Sequence, residues 1–324
     1  MPFPPASLKL AAIVDTPTDM SASFDQNIEG IAEDGTTLAP EGSNAPGGAP
    51  AVDPDNPPWG ILLGFALTIA TFLFMFVVQI VFVVPYVLTR GTFDPASLEK
   101  ILRGDKTVIL LSVISIIPAH LLTLALAWMI VTGFGKRPFW RSLGWGWSPR
   151  LGVWTCLGLT LLLHAAGRVF VAIFGDPETD LERLIMSSNA VRYTIAVLAT
   201  FTAPLVEEIV FRGVLYSGLR KRVGTVWGAA AVIAIFAAIH VPQYLPNVAV
   251  ISTILLLSSV LTFVRARTGK LLPCVAIHFF FNGITSILIV LAPYIESKPP
   301  APPPVPPAPG ALFETCARAV TLLF

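Results

Sequence analysis

Seven stretches of this chain, about 59–89, 107–132, 151–174, 192–219, 224–241, 247–264 and 271–292, are apolar over a length that crosses hydrocarbon. At 1.5 Å rise per residue, roughly 20 helical residues span a bilayer core of about 30 Å. The pattern predicts an all-α, polytopic transmembrane helix bundle of seven spans. An eighth is expected if 93–106 or 178–190 packs against the bundle. The fifth and sixth stretches are short, and Pro242 and Pro246 lie between them, so their junction is expected to dip into the bilayer. With 54% hydrophobic and only 13% charged residues among 324, one large soluble core is excluded.

Residues 1–57 hold nine Asp or Glu against a single Lys, amid Pro, Gly, Ala and Ser. Such a segment cannot bury enough apolar surface to order itself, and it reads as a disordered acidic tail. The membrane domain is expected over 58–296, and 297–324 as a Pro-rich segment with a short C-terminal tail, KPPAPPPVPPAPG then ALFETCARAVTLLF. The opening MPFPPASLKLAAIVDT has too short an apolar run for a secretory signal, so insertion is expected to be signalled by the first span.

Lys136, Arg137, Arg141, Arg150, Arg220, Lys221, Arg222, Arg265, Arg267 and Lys270 follow spans two, four and six, which predicts that side to be cytoplasmic. Arg90, Lys100, Arg103 and Lys106 follow span one on the other side. Trp140, Trp145 and Trp147 read as interfacial anchors. A net charge of +1 with no basic stripe gives no case for nucleic acid. Cys156, Cys274 and Cys316, three in number and without CxxC spacing, read as packing residues.

The fourth span, TIAVLATFTAPLVEEIVFRGVLYSGL, places Glu207, Glu208 and Arg212 deep in an apolar run. Each charge there costs roughly 2.5 to 3.5 kcal/mol, so three of them need compensation and usually a function. Glu208 and Arg212 are four apart and share a helix face; Glu207 is rotated about 100° away. A buried ion pair fixing helix packing would explain Glu208 and Arg212, but it leaves Glu207 unexplained. FAAIH puts Phe236 one turn from His240, and HFFFN puts His278 one turn from Asn282. Measured from the basic side by helix rise, Glu207 lies roughly 20 Å deep, His240 24 Å, His278 11 Å and Asn282 17 Å, all within the apolar layer. His120 and His164 lie outside these groups and read as packing or hydrogen-bonding residues. Arg168 reads as a snorkelling cation.

In order, EEIVFR at 207–212, FAAIH at 236–240 and HFFFN at 278–282 resemble the three motifs of the CAAX-protease and bacteriocin-processing (CPBP, or ABI) intramembrane endopeptidases. The resemblance covers roughly 190–292, which it marks as a catalytic core. It implies hydrolysis of a membrane-associated peptide or protein, either prenylated CAAX-type or bacteriocin-like, by a glutamate-activated water. By this likeness Glu207 is the base and His240 helps hold the nucleophile. His278 and Asn282 stabilise the oxyanion, and Glu208 and Arg212 support the site. Amide hydrolysis needs just these parts, a base for water and donors for the tetrahedral oxygen. No metal is expected; the alternative is Zn²⁺ held by Glu207, His240 and His278. The expected partners are the substrate and the lipid bilayer, and the expected location is a prokaryotic plasma membrane. A membrane scaffold or bacteriocin-immunity factor that keeps the fold without cleaving is the second reading. A transporter is the third, weakened by the absence of internal repeats.

Overall fold

The computed structural model describes residues 52–91 and 94–295; the rest of the acidic segment and the Pro-rich tail expected at 297–324 lie outside them. Eight helical stretches follow one another: α1 Ile61–Thr89, α2 Pro95–Gly104, α3 Lys106–Thr132, α4 Val153–Phe174, α5 Asp180–Met186, α6 Asn189–Tyr244, α7 Val248–Thr268 and α8 Leu272–Ile295. A single helical turn, Phe139–Ser142, joins α3 to α4.

Six of these are long and apolar enough to cross a membrane, one fewer than the seven expected. The difference lies at 192–219 and 224–241, which merge into α6, 56 residues long. A straight helix of that length would measure about 84 Å. Instead α6 doubles back at Gly224, whose φ of +83° is a conformation that glycine adopts without penalty. The reversal puts the Arg212 guanidinium carbon 4.3 Å from the Phe236 ring centroid, although 24 residues separate them. The segments weighed as an eighth span form only α2 and α5, too short to cross. α6 runs through Pro242, and residues 245–247 then turn into α7. Asn247 ties that turn: its side-chain Oδ1 accepts from the Val250 amide, and its Nδ2 donates to Asp176 and to the Pro177 carbonyl.

The bundle is apolar on its outer surface and encloses charged side chains within an apolar interior. Leu62, Ile69, Val81, Trp154, Leu162 and Ile173 are all more than half exposed. Glu207, Glu208, Arg212, Arg265, His240 and His278 are buried. In water such outer faces would aggregate; in hydrocarbon they are the solvated surface, and helices satisfy their own backbone there. This is an integral membrane protein. α6 sits between two groups: α1 with α3 on one side, and α4, α7 and α8 on the other.

At the basic end, residues within the segment expected as tail are fastened down. Arg265 donates to the Pro54 carbonyl at 3.3 Å, Lys221 to that of Pro57 at 2.9 Å, and Asp55 pairs with Arg220. Cys156 and Cys274 are buried free thiols, and Cys316 lies outside the described residues.

Candidate active site

Two π turns, Leu198–Thr202 and Glu208–Leu215, flank the short α segment Ala203–Glu207 within α6. Pro204 has no N–H to close an ordinary helical turn, and the wider spacing absorbs the missing bond. The second π turn carries Glu208 and Arg212 and ends just before the helix resumes at Tyr216.

Arg212 is fully buried and spends its donors on neighbours. Nη1 donates to Glu208 Oε1 at 3.0 Å, Nη2 to the Ser258 hydroxyl at 2.9 Å, and Nε to the Thr262 hydroxyl at 3.3 Å. Its guanidinium also covers the Phe236 ring, a cation–π contact in a water-poor site. Phe236 lies 4.5 Å from the His240 ring and 6.1 Å from that of His278, so it packs beneath both.

His278 stands between the two carboxylates. Its Nδ1 lies 2.9 Å from Glu208 Oε1, and its Nε2 lies 3.8 Å from Glu207 Oε2. A carboxylate accepts, so Nδ1 is the donor and the ring is held with Nε2 toward Glu207. Glu208 Oε1 therefore serves two donors, Arg212 and His278. Glu207 Oε2 has no hydrogen-bond partner among the described residues. His240 donates from Nδ1 to the Phe236 carbonyl at 2.7 Å, which leaves its Nε2 as an acceptor. Asn282 donates from Nδ2 to the Ala199 carbonyl, in the first π turn, at 2.9 Å and keeps one amide hydrogen.

Glu207, His240, His278 and Asn282 line one cavity of about 670 Å³; Glu208 and Arg212 lie behind its wall. The cavity is largely apolar, with Val171, Leu181, Ile195, Ile254 and Phe281 among its walls. It extends to Asp176, Glu182 and Asn247, at the helix ends opposite the basic loops. His164, read from the sequence as background, also lines it and stacks on Phe281 at 4.5 Å. The signal for it was its place one turn from Arg168, a second lining residue on the same face of α4. No three His, Cys, Asp or Glu among the described residues are grouped to hold a metal ion.

Residues 189–284, which hold all three motifs, match the family model described as Rce1-like, type II CAAX prenyl endopeptidase Rce1-like. No curated protein and no solved structure gives a significant match.

Proposed function

We propose that this chain, which over 189–284 carries the signature of the Rce1-like CAAX endopeptidases, hydrolyses a peptide bond in a membrane-associated substrate with a water activated by Glu207 and His240. Proteolysis in the membrane is the activity of that family. The observation that carries the finer reading is Glu207 Oε2, without a hydrogen-bond partner among the described residues, facing His278 Nε2 at 3.8 Å in a largely apolar cavity.

The nucleophile is a water in that cavity about 2.8 Å from Glu207 Oε2. Glu207 accepts one of its protons and His240 Nε2 the other, so the oxygen lone pair points at the substrate carbonyl. As the C–O bond forms, the proton moves to Glu207, which later returns it to the leaving amine. The oxyanion is met by the remaining amide hydrogen of Asn282 and by His278, which donates from Nε2 when both its ring nitrogens carry protons. Glu208 and Arg212 act through His278. They are positioning residues.

The substrate is a membrane-associated peptide or protein, prenylated CAAX-type or bacteriocin-like, met in a prokaryotic plasma membrane. The reading needs no metal. The test is purified protein in detergent with a membrane-peptide library, read by mass spectrometry. Glu207→Gln should lower the rate about 10²- to 10⁴-fold. Equal cleavage by wild type and Glu207→Gln would sink the assignment of the base. Loss of activity on chelation with recovery on added zinc would replace the metal-free mechanism.

A further inference from the structure

Two side chains from outside α6 hold the second π turn, and neither belongs to the three motifs; within α6 the Ser217 hydroxyl also lies against the Gly213 and Val214 carbonyls. The Trp59 indole N–H donates to the Val214 carbonyl at 3.2 Å, and Arg265 Nε donates to the Arg212 carbonyl at 3.1 Å. Both side chains are buried, Arg265 completely. A π turn shifts the backbone ladder from i→i+4 to i→i+5, and carbonyls at the shift need donors from elsewhere. Trp59 comes from the strap that precedes α1, and Arg265 from the last turn of α7. Arg265 also reaches back to the Pro54 carbonyl on the strap, so the two donors form one brace.

The packing is as close as the hydrogen bonding. A Cβ on Gly64 of α1 would stand 3.0 Å from Leu215 Cα, and one on Gly218 would stand 3.1 Å from the Gly60 carbonyl. The start of α1 is therefore pressed directly onto the turn. From the braced carbonyls the connection to the site is short. The Arg212 backbone carries the guanidinium that holds Glu208 Oε1, and the same oxygen fixes His278 Nδ1.

We propose that Trp59 and Arg265 are positioning residues for catalysis: by donating to the Val214 and Arg212 carbonyls they hold the π turn in the register that sets His278 against Glu207. The inference rests on the proteolytic reading of the site. It extends the working parts to a residue 148 positions before Glu207, outside the family match.

The test uses the full chain in detergent. Trp59→Phe keeps a buried aromatic ring while removing the donor and part of the indole's volume; Arg265→Lys keeps the charge and removes the fork. Each should lower kcat by roughly tenfold or more, because misplacing catalytic groups by a fraction of an ångström to an ångström is costly. KM should stay within about twofold, and unfolding should stay cooperative. Lys221→Met is the comparison: it cuts another of the strap's bonds, to the Pro57 carbonyl, without touching the π turn, and should leave kcat unchanged. A structural role alone would lower activity through the folded fraction and leave kcat per folded molecule unchanged.

A readout that needs no substrate comes from ring-nitrogen NMR, since the chain has only four histidines. The His278 signals should shift in Trp59→Phe and Arg265→Lys and stay in place in Lys221→Met. Unmoved His278 signals, or wild-type kcat in both brace variants, overturn the proposal. If Glu207→Gln cleaves as well as wild type while the His278 signals do shift, the assignment of the base fails and the brace stands.

Discussion

Replacing both members of the Glu208–Arg212 pair should be less damaging to stability than replacing either one. Both side chains are completely buried and meet at 3.0 Å. Arg212→Met leaves a buried carboxylate with only His278 to answer it, and Glu208→Leu leaves a buried guanidinium. Each uncompensated charge should cost about 3 to 5 kcal/mol. In the double variant neither charge of the pair remains. The main loss is then the His278 N–H without its acceptor, about 1 to 3 kcal/mol. Ser258 and Thr262, freed from Arg212, can turn to carbonyls of their own helix. The double variant should thus fall well short of the roughly 6 to 10 kcal/mol obtained by adding the singles.

Denaturant unfolding in detergent micelles measures all four proteins, with the folded fraction read at a fixed concentration where a single variant is too unstable for a full curve. Cleavage should not return with stability, because His278 has lost the group that aims it. Additive costs would refute the assignment of a coupled pair, and a double variant that cleaves like wild type would refute the positioning role of Glu208.

On the opposite side of the bundle, burial alone would raise the Asp105 carboxyl, but bonds from Arg90, the Thr107 amide and Tyr86 outweigh it and hold it down to about 2. That stabilisation is complete above the ordinary carboxylate value of about 3.9 and is lost as pH falls through about 2; Asp105→Asn should flatten the acid limb of a thermal-unfolding profile, and an unaltered limb would contradict it. Gly64→Val should force α1 off Leu215, since backbone stands 3.0 Å from the new Cβ, and destabilise the fold by about 1 to 3 kcal/mol; a thermal midpoint equal to wild type would show that the contact yields. Thr179→Ala removes the capping box of α5, in which the Thr179 hydroxyl accepts from the Glu182 amide and Glu182 from that of Thr179. It should cost about 0.5 to 2 kcal/mol locally, seen as faster amide exchange over 180–186, and unchanged exchange would argue that tertiary contacts hold the helix alone.

The spans were legible because a bilayer imposes a length that single-sequence hydropathy reports directly. The helix ends fall within a few residues of the apolar blocks, and the break foreseen between 219 and 224 sits at Gly224. That the two blocks would merge around it into one doubled-back stretch was not legible, because a glycine's positive φ leaves no mark on hydropathy. The ion pair of Glu208 with Arg212 could be read from i, i+4 spacing. That the same carboxylate oxygen also takes His278, 70 residues on, could not, since periodicity places a residue on a face and says nothing of what that face meets. Asn282 shows the same limit: its partner, the Ala199 carbonyl, exists as an acceptor in a π turn that propensity does not foresee.

The π turns also account for why so polar a site can be built from helices at all. A regular α-helix in hydrocarbon closes its own backbone bonds and leaves nothing to grip. Around the two shifts in the ladder, one beside a proline and the other from Glu208, the carbonyls at 199, 212, 213 and 214 accept from side chains of α8, α7, α6 and the strap. Each such bond satisfies a donor that would otherwise be costly to bury and at the same time fixes the rotation of α6. The rotation decides the chemistry. It turns Glu207 into the cavity and Glu208 behind its wall, so two adjacent carboxylates, chemically alike, occupy different surroundings: one faces the cavity, the other is closed upon Arg212 and His278.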